Sequence, residues 1–190
     1  MTLLSDLYSA GDVTATANLT ANAVVVGDDG AKGVKKATVL ISDAGEMTNS
    51  SQPCFLVTPT SDQLNFAEDT DVTVIFGTEV TDQGDDFASN TFTAPVDGNY
   101  LLNVMIRITA PEIAYTYYRL NVFTSNRAYA HFLPMDLTAD PVSATISTSI
   151  VADMDASDTA FIAIKAQGTG GEEGHYIHAI HTFFSGALIC

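Results

Sequence analysis

Residues 90–100 constrain the fold more than any other part of the chain, because they combine a strand, a stop and a turn. Phe92 lies among threonines, which are enriched in strands. Pro95 cannot donate a ladder hydrogen bond and therefore marks a strand end or an edge. Asp97 and Gly98 then supply the positive φ angles of a tight turn. The segment thus predicts two strands joined by a short connection.

The strand predicted after this turn alternates between apolar and polar residues. Its apolar residues fall on one face, at every second position: Tyr100, Leu102, Val104, Ile106 and Ile108. The other face carries the polar residues Asn103, Arg107 and Thr109. A period of two is typical of a half-buried strand and not of a helix.

Strand patterns recur from residue 53 to the end of the chain. We predict the following strands: Cys54–Thr58, Val72–Val80, Asp86–Thr93, Tyr100–Thr109, Tyr115–Thr124, Ala128–Leu133, Val142–Ala152, Thr159–Ala166 and Tyr176–Leu188. No amphipathic helix is indicated after residue 20. Many short strands separated by turn residues are typical of antiparallel sandwiches and jelly rolls. The predicted fold class is therefore all-β, an antiparallel jelly-roll sandwich preceded by an N-terminal arm of short strands.

The charge balance argues against two classes of partner. Seven basic residues face 23 acidic ones, for a net charge of −16, so the clustered Lys and Arg that phosphate binding needs are missing. We expect no nucleic-acid partner, and we expect no membrane partner for the same reason. The apolar content of 46% is that of a folded chain. No apolar run approaches the roughly 18 residues of a membrane span, and the first residues lack the features of an export signal.

The sequence lacks the common motifs of enzymes. It contains no Gly-x-Ser-x-Gly, no phosphate loop, no Cys-x-x-Cys and no His-Glu-x-x-His. Pairs of acidic residues are frequent only because acidic residues are frequent, so they do not indicate the geometry of a glycosidase. We therefore expect no catalytic residue, no cofactor and no enzymatic activity.

Four segments occur in the order in which one known family carries them: Pro53–Phe55, Phe92–Tyr100, Val151–Ala163 and Phe184–Leu188. Together they resemble the globular head of the complement component-one q family, a jelly roll shared with tumour necrosis factor ligands. The second segment matches the family pattern Phe-Thr-Ala-Pro-x-x-Gly-x-Tyr, and the fourth matches Phe-Ser-Gly-x-Leu. Cys54 replaces the usual Ala, and little matches between residues 112 and 144. The resemblance covers residues 53–190 and implies a homotrimer.

Residues 1–52 differ from the rest of the chain. Residues 1–20 are rich in Thr and Ala and are predicted to form an arm or tether. Residues 21–52 contain two short apolar runs, which cannot bury a face by themselves. Asn22–Asn49, with Gly-Asp-Asp-Gly-Ala-Lys-Gly-Val-Lys and Thr-Val-Leu-Ile, resembles a short module of bacteriophage fibre proteins. We predict a short-strand, virion-anchoring module at 21–52 and a complement-type head at 53–190.

The two resemblances and the missing export signal predict a bacteriophage virion structural protein made in the host cytoplasm. It would form a trimeric spike, fibre or capsid decoration. Residues 1–52 would contact other virion proteins of the capsid or tail, and the head would project and bind a host-surface glycan. The alternative is a secreted ligand or adhesin module like those of the complement and tumour necrosis factor families, which requires an export signal.

Tyr115, Tyr117 and His178 are the candidate trimer or ligand contacts. Tyr115 and Tyr117 are two positions apart on a predicted strand and therefore share a face. Tyrosine rings with polar tips suit both subunit interfaces and saccharide recognition. The alternative is that one face is core and the other a subunit contact. The loops Glu112–Tyr115 and Gly168–Gly174 are the candidate glycan-binding loops.

Three histidines, His175, His178 and His181, recur at intervals of three on a predicted strand. Successive members of this series point to opposite faces, so one chain cannot close three ligands around a metal. Three copies of one histidine around a threefold axis are one interpretation. Solvent-facing or interface histidines are the other, which we prefer.

The acidic segment most similar to a calcium loop contains Asp153, Asp155 and Asp158. Its ligand alternation is partial, and the glycine and the bidentate glutamate of such loops are missing. A second oxygen-rich loop contains Asp82, Asp85 and Asp86. We expect no metal site, and calcium binding is the alternative.

Two cysteines do not make a disulfide framework. The resemblance places Cys54 and Cys190 on the first and last strands, which are neighbours in the jelly roll. We expect two unpaired thiols, and a bridge between them is the alternative.

Overall fold

The computed structural model describes residues 14–15, 23–27, 33–170 and 174–190, with side chains described for residue 24 and from residue 37 onward within these ranges. The chain divides into two compact units, Met1–Ser51 and Gln52–Cys190. Most of the predicted arm at residues 1–20 lies outside the described residues. Within the described ranges, no helix is long and apolar enough to cross a membrane.

The first unit contains one sheet of four strands: β1 (Thr14–Ala15), β2 (Ala23–Gly27), β3 (Gly33–Ile41) and β4 (Met47–Asn49). Strand β3 is central, and it pairs parallel with β1 and antiparallel with β2 and β4. The turn between β3 and β4 is closed by a hydrogen bond from the Gly45 amide to the Ser42 carbonyl at 3.0 Å. Gly45 adopts a φ of +94°, which favours glycine.

The second unit is built from two sheets. The first, here called the β11 sheet, contains β6 (Gln63–Leu64), β16 (Tyr176–Ile177), β11 (Gly98–Thr109), β17 (Phe183–Leu188), β5 (Cys54–Thr58) and β8 (Thr78–Gln83) in that order, with β14 (Ser143–Met154) also paired to β11. The second, the β12 sheet, contains β13 (Ala128–Pro134), β12 (Tyr115–Thr124), β15 (Thr159–Gly168), β10 (Thr91–Thr93) and β9 (Phe87–Ala88) in order, with β7 (Val72–Thr73) also paired to β15. All pairings between these named strands are antiparallel. The predicted all-β sandwich is confirmed.

The alternation predicted for the strand after residue 100 is confirmed. All five of its predicted core residues are at most 2% exposed: Tyr100, Leu102, Val104, Ile106 and Ile108. Strand β11 lies between β14 and β17, so its edges are paired, and its apolar face belongs to the hydrophobic core. The residues of the other face are partly exposed.

The turn that precedes β11 is fixed from both sides. Strand β10 ends at Thr93, before Pro95, as the sequence predicts. The Tyr100 hydroxyl donates to the Val96 carbonyl at 2.8 Å. The Asp97 carboxylate accepts a hydrogen bond from the Ala156 amide at 2.7 Å. This segment therefore connects the two sheets and also anchors the neighbouring turn.

A cluster of aromatic rings fills the core between the sheets. Phe55 stacks on Phe92 at 4.6 Å, and Phe184 meets Phe55 edge to face at 4.9 Å. Gly186 lies opposite both Phe55 and Leu102, and a Cβ atom there would come within 2.5 Å of the Phe55 ring. Gly186 is therefore required in the final strand, because the Phe55 ring occupies the space that any side chain at this position would need.

Two predicted strands are wrong in extent, because turns divide them. The strand predicted at 72–80 is split into β7 and β8 around Gly77, and that predicted at 86–93 is split into β9 and β10. Ser89 and Asn90, between β9 and β10, have positive φ angles of 51° and 66°. The Asn90 side chain accepts a hydrogen bond from the Phe76 amide at 2.8 Å. A strand periodicity does not reveal such turns, because Asn and Ser also occur within strands.

Candidate functional site

Tyr115 lies in the core, and the prediction that it forms a surface contact is wrong. The register of β12 against β15 shifts between Tyr115 and Tyr117, which is a β-bulge. The extra residue reverses the alternation, so Tyr115 joins Tyr118 on the buried face, with the two rings 5.3 Å apart. Tyr117 remains on the outer face and is partly exposed.

The Tyr115 hydroxyl takes part in a buried polar network. It donates to Glu68 Oε1 at 3.2 Å and lies 3.1 Å from His175 Nδ1. His175 is fully buried, and its Nε2 lies 3.1 Å from the Phe66 carbonyl oxygen. Burial raises the pKa of the Tyr115 hydroxyl, and the hydrogen bond to Glu68 raises it further, so the group stays protonated at neutral pH. The network stabilises the packing of β12 against the segments around residues 66 and 175.

We expect Tyr115→Phe to lower the free energy of unfolding by about 1–2 kcal/mol, because buried polar groups lose a hydrogen-bond partner. Tyr117→Phe is the matched control, since it removes the same atom from a partly exposed ring; its effect is expected to stay within about 0.5 kcal/mol. Urea unfolding of both variants measures the difference. Equal effects would contradict a structural role for the Tyr115 hydroxyl.

A turn divides the strand predicted over 176–188, so that prediction is wrong. The three histidines therefore do not share a strand. Strand β16 ends at Ile177 and β17 begins at Phe183, and His181 adopts a φ of +75° in the turn between them. His178 is partly exposed, with its Nδ1 accepting from the Ile180 amide at 3.1 Å and lying 3.6 Å from Asp62 Oδ1. Its ring therefore stabilises this turn. The contact role predicted for His178 stays a prediction.

The aspartates of the two oxygen-rich loops bind protein donors. Asp153 accepts from Arg127 Nη2 at 2.6 Å, and Asp158 accepts from the Asp155 amide at 3.0 Å. In the other loop, Asp82 accepts from the amides of Asp86 and Phe87 at 3.2 and 3.0 Å. Burial, followed by the charges of Asp82 and Asp85, raises the pKa of Asp86. Among the residues that the structure describes, no three His, Cys, Asp or Glu residues form a group that could hold a metal ion.

Both cysteines are free thiols. Cys54 is partly buried on β5 and Cys190 is exposed after β17. Strands β5 and β17 are neighbours, with Cys54 in register with Ala187. The Cys190 thiol instead lies 3.4 Å from the Asn99 side-chain nitrogen.

The outer surface of the β11 sheet carries almost no charge. Strands β14, β11, β17 and β5 lie side by side. The cross-strand pair Leu101–Val151 marks one end of the surface and the pair Arg107–Thr145 marks the other. Between these two pairs, the side chains that point outward are apolar or neutral. Leu101, Met105 and Phe183 are partly exposed there, and Val151 is 53% exposed. Arg107 is the one charged side chain in this part of the described chain. We call this surface, which carries no acidic residue in a protein with a net charge of −16, the uncharged face.

A groove of about 730 Å³ continues the uncharged face. Leu56 and Phe183 belong to both, and Pro59, Ile180 and His181 form the other walls. Ile180 is 64% exposed at its rim. The sequence analysis missed this surface, although a signal was available: the outward positions from Leu101 to Arg107 on β11 and from Thr145 to Val151 on β14 carry no acidic residue.

The fold is similar to solved jelly rolls. The globular domain of zebrafish complement 1qA protein is 22% identical, with a TM-score of 0.52, and the match covers 73% of this chain and 98% of that domain. Two crystal structures of murine APRIL, at pH 8.0 and 8.5, are 10% and 12% identical; both have a TM-score of 0.52, and each match covers 73% of this chain and 99% of theirs. No protein-family model and no curated protein matches the sequence. The chain therefore contains a jelly roll of the complement and tumour necrosis factor type, as its sequence predicts.

Proposed function

We propose that this protein is a homotrimeric, non-enzymatic recognition head that projects from a bacteriophage virion. The observation that carries the trimer is the uncharged face, which exposes Met105, Phe183 and Val151 in an otherwise acidic protein. Burial of apolar surface favours association. Jelly rolls of this type form homotrimers, and a threefold axis closes without leaving an open interface.

The virion location rests on the sequence of the first unit. Its strands β2 and β3 lie within the segment that resembles bacteriophage fibre modules. Short strands of this kind need a further partner to bury a face. In the proposal, residues 1–52 contact other virion proteins, and the jelly-roll head points away from the particle.

A secreted ligand or adhesin module is the second candidate, favoured by the similarity of the fold to complement 1qA and APRIL. The two candidates share the trimer and the recognition role. They differ in where the assembled protein is found. Cryo-electron microscopy of intact virions would place the head on the capsid or tail in the first case and detect no copy in the second.

The mass of the purified protein tests the trimer directly. We expect native mass spectrometry to give three times the 20.1 kDa of the chain. A chain that stays monomeric at micromolar concentration would contradict the proposed assembly, whatever its location.

A further inference from the structure

A row of three side chains crosses the outer surface of the β12 sheet, on the side of the sandwich away from the uncharged face. Arg119 on β12 lies in register with Phe132 on β13 and with Lys165 on β15. Neighbouring strands are about 4.8 Å apart, so the row spans about 10 Å. Phe132 is 49% exposed. The row therefore presents an aromatic ring and two cations on a rigid surface.

The placement of the two cations is unexpected for this protein. The head contains only four basic residues, Arg107, Arg119, Arg127 and Lys165, against 17 acidic ones between residues 53 and 190. Two of the four stand directly opposite each other, and like charges in this position destabilise a sheet. The Asp71 carboxylate accepts two hydrogen bonds from Arg119 Nη2, at 2.9 and 2.8 Å, and compensates one charge.

Lys165 has no such compensation. Within the described residues it forms no ion pair and no hydrogen bond. Both contacts of Arg119 with Asp71 use Nη2, which leaves Nη1 as a further donor beside Lys165. Asn121 also donates to Asp71 at 2.6 Å and holds that carboxylate in place. The pair Arg119–Lys165 is thus a fixed guanidinium next to an uncompensated ammonium.

The aromatic end of the row has a second ring. Tyr117 meets Phe132 edge to face, with the ring centres 5.1 Å apart. The Tyr117 hydroxyl donates to Gln167 Oε1 at 3.3 Å, and the Gln167 amide donates to Asp69. The two rings therefore form a corner whose orientation is held by neighbouring polar groups. Aromatic faces bind the C–H groups of sugar rings, and oriented polar groups bind their hydroxyls.

We propose that this row binds an acidic saccharide. One sugar ring lies against Phe132 and Tyr117, and its carboxylate lies between Lys165 and the Arg119 guanidinium. The Lys165 ammonium, which has no ion-pair partner among the described residues, favours an anionic sugar over a neutral one. A row of about 10 Å is too small for a stable protein–protein interface, which buries about 800 Å² per partner. The inference rests on the recognition role proposed above and names the chemical class of its ligand.

Titration calorimetry with the full-length protein tests this site. The probes are trigalacturonate and 3′-sialyllactose, with lactose as the uncharged control. We expect both acidic sugars to bind at least about tenfold more tightly than lactose. Lys165→Gln is expected to weaken binding of the acidic sugars about tenfold, whereas Arg127→Gln, which removes a basic residue from the turn between β12 and β13, leaves it unchanged. Phe132→Ala is expected to abolish binding of all three sugars.

The outcomes separate this inference from the proposed assembly. Native mass spectrometry of each variant shows whether the oligomer is intact. Absence of binding at about 10 mM of either acidic sugar, equal binding of lactose, or equal effects of the Lys165 and Arg127 substitutions would overturn the saccharide site. A trimer that binds no sugar would support the assembly and overturn the saccharide site. A monomer that binds the acidic sugars would support the saccharide site and overturn the assembly.

Discussion

Met105→Glu is expected to convert the trimer into monomers. Met105 lies near the middle of the uncharged face, between Phe183 on β17 and Ser147 on β14. In a trimer that buries this face, each subunit would place one carboxylate in the interface without a partner. Burying an unpaired charge costs several kcal/mol per ion, so three copies oppose association strongly. Native mass spectrometry or light scattering would then give the mass of one 20.1 kDa chain.

The control for this substitution is Phe132→Glu, which places the same charge on the outer face of the opposite sheet. Phe132 is 49% exposed and lies outside the uncharged face, so the mass should remain that of the trimer. The Met105 side chain is partly exposed in the single chain, so a monomeric Met105→Glu protein should keep its circular-dichroism spectrum. A Met105→Glu protein that still forms trimers would show that another surface mediates assembly.

Phe184→Ala is expected to lower the free energy of unfolding by about 3–5 kcal/mol, the usual cost of removing a buried aromatic ring. Phe184 is fully buried. Its ring centre lies 4.9 Å from that of Phe55, 5.9 Å from that of Phe76 and 6.2 Å from that of Phe87. Because these rings come from different segments of a close-packed core, they cannot collapse together to fill the cavity.

Chemical unfolding at one fixed protein concentration measures this loss, since dissociation of an oligomer makes apparent stability depend on concentration. Phe132→Ala is the matched control and should cost about 1 kcal/mol or less, because its ring is half exposed. A loss at Phe184 no larger than that at Phe132 would be inconsistent with the observed core.

The sequence predicted some strands in full and others only in part. Cys54–Thr58 and Tyr115–Thr124 have the predicted bounds, and Pro53 and Pro59 limit the first of them. The stretch 176–188 failed because Thr182 and His181 allow either a strand or a turn, and only the packing of the turn beside Asp62 favours the second. Local sequence does not record such distant contacts.

The candidate site was predicted less well than the fold. The sequence singled out Tyr115 as a surface group, whereas the bulge after it turns the ring into the core. Tyr117, two positions away, stays outside and contacts Phe132. A bulge adds one residue to a strand without a characteristic residue type, so period-two reasoning assigns the wrong face to residues on its far side.

The sequence by itself determined the all-β class, the buried face of β11 and the turn within residues 90–100, because alternation, proline and Asp-Gly act over a few residues. Only the tertiary structure showed that outward residues from β14, β11, β17 and β5 form one uncharged face, and that Phe132, Arg119 and Lys165 form one row. These surfaces join residues as far apart in the chain as Leu56 and Ser185. Strand register, which depends on packing between distant segments, decides which of them become neighbours.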